Sequence, residues 1–121
     1  MTVSTTSHTE TNVSGLTLVV LRCADLERSR SFYEALGLTL TPEQHGPGPR
    51  HYSARVGETV LELYPDASGS TRGLRLGLRL VDLSAALSRL VEIGAVPRPG
   101  SPVTIDDPDG HRLELHLASA G

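Results

Sequence analysis

The chain has 121 residues, of which 38% are hydrophobic and 21% are charged, and its formal net charge is −3. This is the size of one folded domain, and so mild a charge gives no reason to expect nucleic acid as a partner. No apolar run approaches the roughly 20 residues of a membrane span, and no basic segment followed by an apolar one opens the chain. We therefore expect a cytoplasmic protein with no membrane partner.

The first half of the chain predicts a strand, a helix and three further strands. Residues 1–14 are polar and predict a disordered tail. An apolar run over 16–23 predicts a strand, and Asp25 is placed to cap a helix over 26–36 that ends at Gly37. The elements that follow are a strand at 38–41, a Pro/Gly-rich loop at 42–50, and a hairpin with strands at 52–56 and 59–64.

The second half follows a polar linker at 65–73 and repeats this order. Leucines alternate with arginine and glycine over 74–80, which predicts a strand with one buried face. Asp82 is the predicted cap of a helix over 83–93 that stops at Gly94. The remaining predicted elements are an edge strand near 95–98, which contains Pro97, and strands at 103–105 and 111–117 joined by a tight turn.

The two halves are interpreted as copies of one unit, because the spacing from the capping aspartate to the terminating glycine is the same in both. The sequence thus predicts an α+β fold of two βαβββ modules, about 15–64 and 74–118, within a single domain over 15–121. We expect the helices to cover one face of the sheets and to leave the other face open.

Alternation along the predicted strands decides which side chains lie on that open face. The leucines must face the helices, so the residues between them face away. The open face then collects charged and aromatic residues, namely Arg22, Glu62, Tyr64, Arg75, Arg79, Arg112, Glu114 and His116. Such a face is either simply solvated or, where two charged faces meet, part of a ligand cleft. The arginines favour a ligand that carries a carboxylate or a phosphate.

The sequence leaves open whether four of the histidines, His45, His51, His111 and His116, have a chemical role. His116 could act as a general acid or base, because imidazole titrates near neutral pH. His111 directly follows a turn and is expected to be solvated. His45 and His51 flank the loop at 42–50, where we expect exposed side chains that would touch a ligand only if the loop is a lid.

Two other features favour structural roles. The acidic turn at 106–109 lacks the ligand spacing of a calcium loop and predicts an ordinary tight turn. Cys23 is the single cysteine, so no disulfide framework is expected, and its place on a strand favours a small buried residue over a nucleophile.

Two stretches resemble the opening and closing motifs of the vicinal oxygen chelate superfamily, which includes glyoxalase I, extradiol dioxygenases, and bleomycin and fosfomycin resistance proteins. The opening motif is LRCADLERS at 21–29 with the FY and LGL at 32–33 and 36–38, and the closing motif is DPDGHRLEL at 107–115. The resemblance implies paired βαβββ modules that form a half-open mixed β-barrel, usually completed in a homodimer. For the enzymes of the superfamily it also implies a divalent metal held by one residue from each of four strands.

The four ligand positions carried over from that superfamily are Leu18, Glu62, Arg75 and Glu114. Leucine has no donor atom and the cation of arginine repels a metal ion, so we expect no metal cofactor at these positions. Arg75 would instead neutralise Glu62 and Glu114 in a three-membered ion-pair cluster. The alternative is a weakly bound, hydrated divalent ion between the two carboxylates.

Three functions remain open from the sequence. The first, which we favour, is a metal-free binding protein that holds a small anionic molecule in the cleft of a homodimer through Tyr64 and the open-face arginines. The second is a metal-dependent lyase, isomerase or dioxygenase of the superfamily, with Glu62, Glu114 and His116 as candidate catalytic residues. The third is a dimer whose cleft has lost its function.

Overall fold

The computed structural model describes residues 12–118, which form two mixed β-sheets, each with one helix. The elements of the first half are β1 (Leu18–Cys23), α1 (Leu26–Leu36), β2 (Thr41–Glu43), β3 (His51–Val56) and β4 (Thr59–Pro65). Those of the second half are β5 (Arg75–Leu80), α2 (Leu83–Glu92), β6 (Val103–Asp106) and β7 (Arg112–Leu117). The predicted α+β fold of two modules is confirmed. Most of the predicted tail at 1–14 lies outside the described residues, and no described helix is long and apolar enough to cross a membrane.

Each sheet has one parallel strand pair, which is combined with two antiparallel pairs in the first sheet and with one in the second. The first sheet has the order β1-β4-β3-β2 and the second the order β5-β7-β6. In both, the first strand of the module pairs in parallel with a later one, β1 with β4 and β5 with β7. Parallel pairing requires a crossover connection, and the helix that supplies part of it covers one face of the sheet. The other face of each sheet is left without a helix.

Both helices begin where the sequence predicts. The Asp25 carboxylate accepts a hydrogen bond from the Arg28 backbone N–H at 3.1 Å, and Asp82 accepts one from the Ala85 N–H at 3.0 Å. Gly37 ends α1 with a φ of 124°, a left-handed conformation that favours glycine. These local signals mark where both helices start and where α1 ends.

The strand predicted at 38–41 lies instead at Thr41–Glu43. Leu38 still belongs to the end of α1, because its N–H donates to the Tyr33 carbonyl at 3.0 Å. Pro42 is therefore inside a strand, which is tolerated because β2 is the outermost strand of its sheet and its missing N–H breaks no ladder.

The edge strand predicted near 95–98 is reduced to a single bridge in the structure. Arg98 donates its backbone N–H to Thr104 at 2.8 Å and accepts from the Thr104 N–H at 3.2 Å. Pro97 and Pro99 on either side have no N–H to extend the ladder. The second sheet consequently has one strand fewer than the first.

The core lies between the sheets and the helices, as the alternation predicts. Leu21, Leu61 and Leu63 are buried under α1, while Leu113 and Leu115 face α2. Cys23 is buried beside the same core, and burial raises the pKa of its thiol to about 12, so the thiol stays protonated near neutral pH.

The turn between β6 and β7 is not an ordinary exposed turn, because Asp107 and His111 are buried in it. One oxygen of the Asp107 carboxylate accepts from the Tyr33 hydroxyl and from Nδ1–H of His111, both at 2.6 Å. The other accepts the backbone N–H groups of Asp109 and His111 at 2.9 Å. The expectation that His111 is solvated is therefore wrong, because a partner distant in sequence encloses the turn.

The same turn reaches β1 by two further routes. His111 Nε2 and the Thr71 hydroxyl form a hydrogen bond of 2.6 Å, and the Thr71 oxygen accepts the Arg22 N–H at 2.9 Å. Asp109 accepts the Ala24 N–H at 2.8 Å and the Ser29 hydroxyl at 3.0 Å. We call this set the interlock, comprising Tyr33, Asp107, Asp109, His111, Thr71 and Ser29. Because the two helices also pack on each other, the modules meet through their helices and this turn.

We predict that Asp107→Ala lowers the free energy of unfolding by about 3–5 kcal/mol, because it leaves buried donors without an acceptor. Urea denaturation followed by circular dichroism measures the change. The matched control is Asp106→Ala, the neighbouring residue in sequence, whose partly exposed carboxylate pairs with Arg98 at 2.9 Å. We expect that control to lose less than about 1 kcal/mol. Equal losses for the two variants would contradict the structural role of the interlock.

Candidate functional site

The open face of the first sheet carries a row of stacked side chains. Arg22, Tyr64 and His51 come from neighbouring strands β1, β4 and β3. The guanidinium carbon of Arg22 lies 5.3 Å from the centre of the Tyr64 ring, within cation–π range. The His51 ring also stacks on Tyr64. The two ring centres are 4.1 Å apart and the interplanar angle is 11°. Arg22 and Tyr64, both predicted on this face, are thus brought together.

His51 corrects the expectation of an exposed loop histidine. Its side chain is only 1% exposed, because β3 begins at this residue and its ring is enclosed by Tyr64 and by the ring of His45, 5.1 Å away. Extending the predicted strand by one residue would have placed His51 on the open face. This burial was not predictable from the sequence, since the shielding depends on contacts with another strand.

The open face of the second sheet carries Arg75 and Arg79 on β5, in register with Arg112 and His116 on β7. Gly77 lies between the two arginines of β5 and leaves a hollow of about 290 Å³ next to Arg79 and His116. His116 is half-exposed, and its Nε2 lies 3.7 Å from a Glu114 oxygen, longer than a hydrogen bond. The strand positions of these predicted site residues follow the alternation, while their chemical roles stay predictions.

The ion-pair cluster predicted for Glu62, Arg75 and Glu114 forms only in part. Arg75 donates from Nη2 to Glu114 Oε2 at 2.6 Å. This hydrogen bond holds the pKa of the Glu114 carboxyl below its usual range. Glu62 does not join the pair, because it belongs to the other sheet, where its carboxylate lies 3.9 Å from His51 Nε2. For the single chain, the three-membered cluster is wrong.

The sequence profile of the glyoxalase-like domain family matches residues 18–116, which is most of the chain. The chain belongs to the glyoxalase-like domain family. Its motifs and its fold place it in the vicinal oxygen chelate superfamily, as the resemblance implied. No curated protein sequence matches it significantly.

Among solved structures, this glyoxalase-like chain is similar to the antibiotic-binding protein TnmS3 from Streptomyces sp. CB03234. The two are 27% identical over 90% of this chain and 99% of that one, with a TM-score of 0.64. The fosfomycin resistance protein FosX from Mesorhizobium loti is 18% identical over 89% of this chain and 94% of its own, with a TM-score of 0.67. A bleomycin-binding protein solved with bleomycin is 21% identical over 88% and 100%, with a TM-score of 0.59. The last two likenesses show a shared fold.

The metal that the superfamily implies does not fit the four positions carried over to this glyoxalase-like chain. Leu18 offers no donor atom, and the Arg75 guanidinium already occupies the Glu114 carboxylate at 2.6 Å. Glu62 and the second Glu114 oxygen are the donors left at those positions. A different group of side chains, Glu43, His45 and His51, has its donor atoms within 4.8 Å of one another. No motif or strand alternation in the sequence connects these three residues.

We predict that Arg75→Gln raises the pKa of Glu114 towards its ordinary value of 4.5, because the cation that favours the charged carboxylate is removed. Carbon-13 NMR of the Glu114 side-chain carboxyl during a pH titration measures the change. Since the pKa is lowered in the folded protein, the pair's stabilisation is complete above the ordinary pKa and is lost as pH falls through the lowered value. Arg79→Gln is the control and should leave this pKa unchanged. A wild-type Glu114 that titrates at its ordinary value would contradict the pair.

Proposed function

We propose that this glyoxalase-like protein binds a small anionic molecule in a cleft between the open faces of two copies of the chain, without a metal at the four family positions. The observation that carries the proposal is the set of arginines on those faces, Arg22, Arg75, Arg79 and Arg112. Guanidinium groups stay charged at any physiological pH and present forked donors that match carboxylates and phosphates.

Two of these four arginines lie close to a carboxylate, and the other two, Arg22 and Arg79, do not within residues 12–118. Arg75 is engaged by Glu114, and Arg112 lies 3.3 Å from Asp106. Among residues 12–118, no carboxylate oxygen lies within 4.0 Å of a side-chain nitrogen of Arg22 or Arg79. These two side chains, one on each sheet, are therefore the preferred anchors for an anionic group.

The proposal includes a second copy of the chain because each open face by itself forms only one side of a cleft. The hollow next to Arg79 measures about 290 Å³, at the lower limit of the roughly 300–1,000 Å³ typical of ligand sites. The exposed apolar side chain of Leu18, on the open face of the first sheet, favours cover by another surface. The likeness to an antibiotic-binding protein at 27% identity also supports a binding role.

A metal-dependent enzyme that uses Glu62, Glu114 and His116 is less well supported. Arg75 occupies the Glu114 carboxylate, and the lowered pKa makes Glu114 a weak base near neutral pH. Glu62 and Glu114 belong to different sheets, so a single chain does not gather them around one ion. A dimer with a functionless cleft would show no ligand response in the experiment below.

We predict that fosfomycin, a phosphonate, and 1-naphthoate, an aromatic carboxylate, shift the NMR signals of the Arg22 and Arg79 side chains in nitrogen-15-labelled protein. Arg79→Gln should weaken binding of either probe by about tenfold or more, because one charged hydrogen bond contributes roughly 1.5–3 kcal/mol. Added salt should weaken it further.

The matched control is Arg28→Gln, an exposed arginine on α1 rather than on an open face. We expect it to bind both probes as the wild type does. Bleomycin, a cationic antibiotic, is the comparison probe of opposite charge. If bleomycin binds and neither anion does, or if the Arg28 variant is affected as strongly as the Arg79 variant, the anionic ligand class is wrong.

We also predict that the chain sediments at tens of micromolar with twice its 12.9 kDa mass, and that the cleft is shared between subunits. Arg22→Gln and Arg79→Gln should each impair probe binding. If each cleft combines the first sheet of one copy with the second sheet of the other, mixed dimers of the two variants contain one intact cleft. Binding recovered on mixing supports the shared cleft, whereas no recovery or a monomeric protein contradicts it.

A further inference from the structure

We propose that Glu43, His45 and His51, which we call the edge triad, bind a divalent transition-metal ion such as Zn²⁺, with the Glu62 carboxylate alongside. Glu43 ends β2, the edge strand of the first sheet, and His51 begins β3, the strand next to it. His45 lies in the loop between these two strands. None of the three is among the four family positions; of those four, only Glu62 lies near the edge triad, 3.9 Å from His51 Nε2. The inference does not depend on the proposed anion cleft.

The first argument is the state of the His51 ring. Its Nδ1 lies 3.2 Å from the Pro49 carbonyl oxygen. A carbonyl only accepts, so Nδ1 must carry the hydrogen of that bond, and in the neutral ring Nε2 is left with an unprotonated lone pair. A backbone carbonyl on the far nitrogen is the usual support of a metal-binding histidine.

The second argument is that this lone pair is buried and has no hydrogen-bond partner among the described residues. Nε2 of His51 is the buried side-chain atom left without one. Two carboxylate oxygens lie near it, Glu43 Oε1 at 3.3 Å and Glu62 Oε2 at 3.9 Å. Both are acceptors, so lone pairs face each other in a buried place. A cation between them removes this repulsion and satisfies the nitrogen.

The third argument is the spacing of the donor atoms. Around a tetrahedral ion with bonds of about 2.1 Å, neighbouring ligand atoms are about 3.4 Å apart. In the edge triad, His51 Nε2 and His45 Nε2 lie 3.3 Å and 3.6 Å from the same Glu43 oxygen. Glu62 is close to one member of the set, with its Oε2 3.9 Å from His51 Nε2. The donors are thus arranged around a space of the right size for one ion.

The chemistry of the donors indicates the kind of metal. Two imidazole nitrogens with carboxylate oxygens suit Zn²⁺ and neighbouring transition ions better than Mg²⁺ or Ca²⁺, which prefer oxygen alone. The His51 ring is held in place by its stack on Tyr64. His45, whose side chain is 72% exposed, can close over an ion that enters from solvent.

The test is titration of the full chain, purified without a histidine tag, with Zn²⁺ at pH 7.5 by isothermal titration calorimetry. We expect one ion per chain. Long-range proton–nitrogen NMR of the metal-free protein should show Nε2 of His51 unprotonated, and Zn²⁺ should shift the Nε2 signals of His51 and His45 but not that of His116. This readout needs no knowledge of any ligand or activity.

Variants assign the site. His45→Ala and Glu43→Gln, both at partly or fully exposed positions, should each weaken Zn²⁺ binding by about tenfold or more. The matched controls are His116→Ala and Glu114→Gln, a histidine and a glutamate of the second sheet, which should bind Zn²⁺ as the wild type does. Arg79→Gln, which tests the anion cleft, should also leave Zn²⁺ affinity unchanged, so the two proposals fail separately.

Several outcomes would overturn the edge triad as a metal site. These are the absence of stoichiometric Zn²⁺ binding, unchanged affinity in His45→Ala, or loss of binding in Glu114→Gln, which would put the ion at a family position. A protonated Nε2 of His51 in the metal-free protein at pH 7.5 would also overturn it, because an imidazolium paired with Glu43 and Glu62 would then explain the cluster without an ion.

Discussion

The arrangement of the two modules depends on one buried carboxylate. Asp107 in the turn between β6 and β7 accepts from Tyr33 of α1 and from His111, and His111 reaches β1 through Thr71. A buried charge of this kind is tolerated only when its hydrogen bonds are complete. Every donor therefore has to be in place together, and this requirement joins the first module, the linker and the second module into one cooperative unit.

With the modules joined in this way, strand pairing and register determine which side chains lie on the two open faces. Parallel pairing of β1 with β4 and of β5 with β7 puts one helix on each sheet and leaves the opposite face to Arg22, Tyr64, Arg75 and Arg79. The separation of Glu62 from the Arg75–Glu114 pair follows from the same arrangement. Within one chain, Glu62 and the Arg75–Glu114 pair stay on separate sheets.

Local signals in the sequence predicted the helices and the alternation of the strands. α1 has the predicted bounds because Asp25 and Gly37 act on their nearest neighbours. The burial of His111 and His51 was not predictable in this way. His111 is enclosed by Tyr33 and Asp107, residues 74 positions apart in sequence, and His51 by a stack on Tyr64 across the sheet. An ionisable residue after a turn is exposed unless a distant partner covers it, and a single sequence does not reveal that partner.

The candidate site was predictable as a set of strand positions but not as a set of contacts. Arg75 and Glu114 were placed on one face by alternation, and their ion pair follows from adjacent strands. The grouping of Glu43, His45 and His51 needs the pairing of β2 with β3 and the path of the loop between them, and proline and glycine give that loop no periodicity to read.

The positive charges of the open faces are all arginine, since the chain has no lysine. A guanidinium group does not lose its proton under cellular conditions, and it is not a substrate for the acetylation that neutralises lysine side chains. The positive potential of these faces is therefore a fixed property of the folded chain. Any control over what the faces attract has to come from the carboxylates and from His116, or from whatever covers the faces.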